Sequence, residues 1–475
     1  MILERAWIVL AGANEVTLRV IPWAASLIAA VLFCDVAGKL FAFPLSAAAV
    51  ALFSVNYWAV KYAQEVKQYG TDLFVATVLA WLIYRACTGR LSRNQRWAAA
   101  ACTGLMCYLS LPAIFWLPSV AFALSYGQGR VSDLGDERPL AAGKKITTFV
   151  LILISLAIVA GFNYFLFVYP NHPEVIARDW DVTYHAYLGS GPLLVSLGRL
   201  GGSLSNLVVP RSTSWPIPVW MVLSSLIAIG GVRSLWLAYR RTPRGMALAL
   251  AGCVPVMLCL GASLLRKYPV LDFPRLILWM LPSCWLLLCC AVEPAVAAVA
   301  ARVWSGKARS ARFGAVYAGC IVVIALSSVL MARQAGPSED NRQLFGTIAK
   351  SWQAGDCLFV HGGLTEQFAV YRRWLGWNPS CVYVGNTDWP CCALDVRSRS
   401  GNPSAATFAE DVKSAIAKLH PKRLWFALPS GTPGAWSRGL RPSLDRLPEI
   451  LSGSGCRVED RREYGQVMLR AALCR

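Results

Sequence analysis

The stretch Lys61 to Asp72, KYAQEVKQYGTD, alternates Glu65, Lys67, Tyr69 and Asp72 between two apolar runs. A carboxylate in that setting could orient a substrate hydroxyl or accept its proton. Asp72 stands at the head of the following helix, where the helix dipole favours a negative charge. The plainer use of such a flank is an interfacial anchor, with Tyr and Lys reaching for lipid headgroups, and position alone favours it. A second cluster, RKYPVLDFPR, gathers Arg266, Lys267, Tyr268, Asp272 and Arg275. Arginine offers a two-pronged hydrogen-bonding fork to a phosphate at the membrane surface, against the alternative of ordinary headgroup contact. A third cluster, Asp179, Trp180, Asp181, Tyr184 and His185, lies in the long loop 170–215. It has no metal-ligand spacing and reads first as solvated loop.

The chain holds only four histidines and none clusters, so no imidazole metal site is expected. The HGG at 361–363 lacks the remainder of a nucleotide-binding loop and reads as a turn. No cofactor is expected; a divalent cation alone stays open.

The elements that must position these clusters are lipid-embedded. Charged residues make up 15% of the chain, against about a quarter in soluble domains. Uncharged runs near the roughly 20 residues that cross a bilayer recur over the first 333 residues. The expected spans are 17–38, 44–63, 71–88, 97–110, 112–127, 146–169, 216–239, 246–265, 276–301 and 313–332. Residues 97–129 form one uncharged run, long for one helix and short for two. Ser110, Leu111 and Pro112 supply a turn, since a proline disfavours helix at the residue before it. Two helices there put Arg85, Arg90, Arg93 and Arg96 on the same side as Arg130, Arg138, Lys144 and Lys145. That side, the cytoplasm by the positive-inside rule, also receives the clusters at 233–244 and 302–312. The opposite side receives 64–70, 170–215, 266–275 and everything after 333. Asp35, Arg233 and Glu293 read as flanking charges at helix ends, and Arg19 as a snorkelling anchor. The net charge of +20 therefore sets orientation, and nucleic-acid binding is excluded as a partner class.

After residue 333 the apolar runs shorten. DCLFVHGG, TEQFAVYRRWLG and CVYVG read as strand, helix, strand, and AATFAEDVKSAIAKL with KRLWFALP as helix, strand. CRVEDRREY and GQVMLRAAL close a small α/β layer. Ten of the sixteen cysteines lie in the apolar region, where they read as small hydrophobes. In an extracytoplasmic domain Cys357, Cys381, Cys391, Cys392 and Cys456 could form disulfides, with pairing open.

NEVTLRVIPWAAS, EVKQYGTDLF, SLPAIFWLPSV and YPVLDFPRLILWMLP together resemble the bacterial GT-C glycosyltransferases, relatives of the protein mannosyltransferases and of the lipopolysaccharide sugar transferases. The resemblance spans roughly residues 4–333, with EVKQYGTD its most specific part. It implies an all-α polytopic membrane protein, a GT-C-like bundle of about ten transmembrane helices, with a small C-terminal extracytoplasmic α/β domain. The expected domains are 1–333 and 334–475, and the expected location is the bacterial inner membrane. The implied reaction moves a sugar from a polyprenyl-phosphate carrier to a cell-envelope acceptor, usually with inversion. On the matching positions, Asp72 and Glu65 would be catalytic carboxylates. Lys67, Tyr69, Arg266, Lys267, Tyr268 and Arg275 would bind substrate. The family's principal acidic pair belongs to a loop preceding this region, and the topology likewise expects one helix upstream of Met1, which no signal peptide replaces. Orientation and proton transfer usually need separate groups, so an inactive remnant of the family is one alternative. A lipid or polysaccharide flippase is the other, although no inverted repeat is visible.

Overall fold

The computed structural model describes residues 15–43, 45–63, 69–89, 91–126, 142–165, 185–209, 217–271, 274–303, 341–360, 364–384, 405–429, 446–464 and 467–474. Trp7, Leu10, Gly12 and Asp181 are described individually. The chain divides into two compact units, Met1–Arg333 and Gln334–Arg475.

In the first unit α1 runs Glu15–Leu40 and α4 runs Tyr69–Thr88, the two packing along each other. Helix α9 spans Ile217–Tyr239, α10 spans Pro243–Leu264, and α11 spans Leu281–Val303 after a short helical lead-in from Pro274. Among the described residues these five are long and apolar enough to cross a membrane. Residues 44–63 break into α2, Leu45–Ser54, and α3, Tyr57–Ala63. The run 97–127 breaks at Ser110, whose extended backbone separates α5, Arg93–Leu109, from a 3-10 turn at Leu111–Trp116 and then α6, Leu117–Tyr126. Helix α7 is Ala142–Asn163. The expected span 313–332 lies outside the described residues.

The loop reading of 170–215 needs one correction. Leu193–Val208 is a helix, α8, with Leu200, Leu204, Leu207 and Val208 turned inward and Leu193, Leu194, Val195 and Leu197 outward. Its apolar residues recur at three- and four-residue steps, a signal hidden by the glycines and serines between them.

Close helix contacts depend on small residues, as expected where no hydrophobic force separates helix from lipid. A Cβ at Gly230 of α9 would overlap the Leu287 carbonyl of α11, and one at Gly252 of α10 would meet the Leu287 side chain. Glu293 of α11 joins the same three helices by pairing with Arg233, at 3.1 Å, and with Arg244. Helix α10 holds a π-turn at Ala249–Cys253, and Ser283 donates to the Ala251 carbonyl there at 2.7 Å.

The second unit is a three-layer α/β sandwich. Its strands are β1 (Asp356–Val360), β2 (Val382–Val384), β3 (Arg423–Pro429), β4 (Cys456–Tyr464) and β5 (Val467–Cys474), in sheet order β2-β1-β3-β5-β4. Strands β2, β1 and β3 are parallel, and β5 runs antiparallel between β3 and β4. Alternation along the strands feeds both faces. Cys357, Phe359, Leu424 and Phe426 meet α14 (Ala405–Leu419) and α15 (Leu447–Ser452). Leu358, Val360, Trp425 and Ala427 meet α12 (Asn341–Ser351) and α13 (Thr365–Trp374). Disulfides join Cys357 to Cys381 and Cys456 to Cys474. Cys474 was missing from the expected set, and Cys391 and Cys392 lie outside the described residues.

Candidate functional site

The site is built around the first turn of α4. Gly70 allows that turn to lie against α1, since a Cβ there would come 3.1 Å from the Pro22 carbonyl oxygen and 3.2 Å from the Pro22 Cβ. The Tyr69 ring meets Tyr62 of α3 edge-on at 5.0 Å, and Tyr62 stacks on Trp58 at 5.9 Å. The Lys61 ammonium lies 5.6 Å from the Trp58 ring centre and 5.9 Å from that of Tyr62. Helix α3 itself is anchored by Asn56. The Asn56 Oδ1 accepts from the backbone N–H groups of Trp58 and Ala59, at 3.0 and 3.1 Å. Its Nδ2 donates to the carbonyls of Leu207 and Val208 at the end of α8, at 2.9 and 3.0 Å.

Asp72 points into this packing and is 5% exposed. Its Oδ1 meets no hydrogen-bond partner. The Ser110 hydroxyl, also buried, lies beside the carboxyl, close enough to interact but short of hydrogen-bond geometry. Helix α4 packs against the 3-10 turn Leu278–Met280, whose Trp279 indole donates to the Tyr268 hydroxyl, so the two sequence clusters lie in one packed region. Tyr268 is half-buried as a residue, and burial of its phenol, followed by Cys259 and Asp72, holds the pKa well above its ordinary value. The hydroxyl donates to the Leu276 carbonyl at 2.6 Å and accepts from the Trp279 indole at 3.2 Å. Phe115, from the 3-10 turn, closes the cluster, edge-on to Tyr268 at 5.1 Å and stacked on Trp279 at 5.3 Å.

The basic loop is held by the third cluster. Arg266 pairs with Asp181 at 3.0 Å and donates twice to the Gly189 carbonyl, at 2.8 and 3.2 Å. Ser190 also donates to Asp181, while the Val270 and Leu271 N–H groups share the Ala186 carbonyl. Burial and the Asp181 charge push the neighbouring Tyr187 phenol up to about 12. The Arg266 fork is thus occupied by its own protein. Lys267 is exposed and Arg275 half-buried, one residue before the Tyr268 anchor at Leu276.

Of the residues singled out in the sequence, Tyr69, Asp72 and Tyr268 come together, and Asp181 joins Arg266. His185 is exposed. Glu65, Lys67, Asp179, Trp180, Tyr184 and Asp272 lie outside the described residues. Among the described residues no three His, Cys, Asp or Glu side chains form a group able to hold a metal ion.

No protein-family model matches the chain, and no curated protein matches it. The chain is similar to several solved structures. ArnT from Cupriavidus metallidurans in the apo state is 13% identical with a TM-score of 0.47, over 98% of this chain and 86% of that one. The same protein bound to undecaprenyl phosphate is 14% identical with a TM-score of 0.43. The archaeal oligosaccharyltransferase AglB from Archaeoglobus fulgidus, in complex with an inhibitory peptide and a dolichol-phosphate, is 12% identical with a TM-score of 0.41. That match covers 98% of this chain and 65% of the archaeal one. At such identities and scores the likeness assigns no activity, and the chemistry rests on this chain's own side chains.

Sequence reading missed Ser110 as anything beyond a turn residue, and it missed Phe115, Trp279 and Asn56. Three of these sit in apolar runs where an aromatic or amide carries no local signal. The proline of SLPAIFW signals a helix break, and that break sets Ser110 beside the Asp72 carboxyl and Phe115 against the Tyr268 and Trp279 rings.

Proposed function

We propose that this chain is a membrane glycosyltransferase that moves a sugar from a polyprenyl-phosphate carrier to a hydroxyl of a cell-envelope acceptor. The observation that carries the reading is the buried Asp72, whose Oδ1 lacks a hydrogen-bond partner at the first turn of a membrane-length helix. An unpaired carboxylate removed from water costs several kcal/mol, about 2–7 for even an uncharged polar group, so a purely structural role is a poor use of it. In the proposed reaction the acceptor hydroxyl gives its proton to Asp72 while its oxygen attacks the anomeric carbon. The bond from that carbon to the carrier phosphate breaks, and the phosphate leaves with the electron pair. Direct displacement inverts the anomeric centre. Arg275 and Lys267 would hold the phosphate, and Lys67 and Glu65, which lie outside the described residues, are assigned by the resemblance alone as a further cation and a second carboxylate. Tyr268 has its hydroxyl engaged twice, so it would shape the site through its ring. Burial of the carboxylate keeps water from competing with the acceptor.

Two disulfides among the described residues of the C-terminal unit support an oxidising, extracytoplasmic compartment for it. That location agrees with the side on which the positive-inside rule leaves the 64–70 and 266–275 loops. The reading is tested by purifying the full chain in lipid and assaying transfer from a radiolabelled polyprenyl-phosphate sugar to envelope extract. Asp72→Asn should lower transfer about 100-fold or more, the scale of a lost general base. Wild-type rates in a correctly inserted Asp72→Asn protein would remove the proposal.

A further inference from the structure

We propose that Ser110 is a positioning residue for Asp72, its hydroxyl donating to the carboxylate and fixing which oxygen faces the acceptor; this rests on the sugar-transfer reading above. Ser110 Oγ and Asp72 Oδ1 are both buried, neither has a hydrogen-bond partner, and they lie side by side. Two adjacent unpaired polar atoms in a packed apolar bundle are rare, because each bears a desolvation penalty that a small rotation would remove. A serine hydroxyl turns freely about its Cβ–Oγ bond, so donation to the carboxylate needs only that motion.

The backbone makes the placement specific. Ser110 is the single extended residue, at φ −150° and ψ 120°, between α5 and the 3-10 turn. The 3-10 turn packs against α4. Its backbone is engaged on both sides, the N–H donating to Met106 at 3.0 Å and the carbonyl accepting from Ala113 at 3.3 Å. The side chain is therefore held at a fixed point while its hydroxyl stays uncommitted. Pro112, two residues on, has no N–H for the Tyr108 carbonyl and its ring would clash there, so the α-helix cannot run on through Ser110. With Ser110 donating to one carboxylate oxygen, the other is left directed at the acceptor proton. Loss of the hydroxyl lets the carboxylate swing between orientations, which lowers turnover without changing how substrates dock.

The test uses the full chain in lipid with three variants: Ser110→Ala, Ser110→Thr and Asp72→Asn. The Asp72 carboxyl band is assigned in isotope-edited infrared spectra by its disappearance in Asp72→Asn. It should move in Ser110→Ala and return in Ser110→Thr, which restores a hydroxyl. In the transfer assay Ser110→Ala should lower kcat about 10- to 100-fold at unchanged KM, with recovery in Ser110→Thr. An unmoved band in Ser110→Ala overturns the inference, whatever the activity. Loss of activity in Asp72→Asn with Ser110→Ala at the wild-type rate overturns the inference alone and leaves sugar transfer standing. Wild-type activity in Asp72→Asn overturns the sugar-transfer reading and the inference with it. If Ser110→Ala fails to fold, Ser110→Thr and Ser110→Cys supply the band comparison, since cysteine is a much weaker donor.

Discussion

Replacing Asn56 by alanine tests how the site is held, because that amide, together with the Trp58 indole that donates to the Asn206 carbonyl at 2.7 Å, joins α3 to the end of α8. Asn56 is 3% exposed and uses both ends of its side chain. Alanine removes an N-cap from α3, worth about 1 kcal/mol. It also leaves the Leu207 and Val208 carbonyls without their donor, and a buried group left unpaired costs about 1–3 kcal/mol. Polar bonds inside membrane bundles run weaker, averaging about 0.6 kcal/mol, because the unfolded reference also finds partners. The combined loss is about 2 kcal/mol, which for a unit of this size lowers Tm by about 3 °C. Tryptophan-fluorescence melting of the purified protein in detergent reads this directly. Asn56→Asp keeps the acceptor and loses the donor, so its loss should fall between wild type and alanine. Ser54→Ala, on an exposed hydroxyl bonded to Val50, should do nothing measurable. An unchanged Tm in Asn56→Ala, or an aspartate variant as stable as wild type, refutes the reasoning.

Further expectations follow from other parts of the chain. Gly70→Val should push the first turn of α4 away from Pro22, and transfer by the inserted protein should fall at least tenfold; a wild-type rate would show that the close approach is dispensable. In the C-terminal unit, burial raises the Asp356 pKa, but hydrogen bonds from Arg423, Trp425 and the Gln353 N–H outweigh it and hold the carboxyl below its ordinary value. A depressed folded pKa means stability that is present above the unfolded value near 3.9 and lost as pH falls through the folded one. Acid unfolding of this unit should therefore steepen below about pH 4, and Asp356→Asn should flatten that limb in circular dichroism. Replacing Cys456 and Cys474 by serine opens an 18-residue span, costing about 3 kcal/mol, and should make the wild-type chain the only one of the pair whose Tm drops under reductant at that site; equal melting of both proteins in oxidising buffer would contradict it.

How much could be read from the sequence depended on the range of the interactions. The strands and helices of the C-terminal unit stood out because DCLFV, KRLWFALP and the final pair alternate or run apolar over single elements. The break at Ser110 is legible from Pro112 alone, since a proline cannot complete the helix bond to the carbonyl four residues back. The break at Asn56 was not, since what stabilises it is a pair of carbonyls 151 and 152 residues away. Helix α8 is hidden in the sequence because its inward leucines are diluted by Gly198, Gly201 and Gly202 and by serines, which read locally as loop. At the site, Asp72, Tyr69 and Tyr268 could be chosen by residue type and position. Their meeting could not, because it follows from α4 packing against the 3-10 turns at 111–116 and 278–280. Arg266 looked like a phosphate ligand by type, and only the fold shows Asp181 and Gly189 already occupying it.

The most direct test of the central claim is single-turnover sugar transfer from a polyprenyl-phosphate donor by the full chain in proteoliposomes, comparing wild type with Asp72→Asn. The account predicts product from the wild type, a rate at least about 100-fold lower in the variant, and equal insertion and melting of the two. Equal rates in both proteins, with the variant folded as well as the wild type, would contradict it.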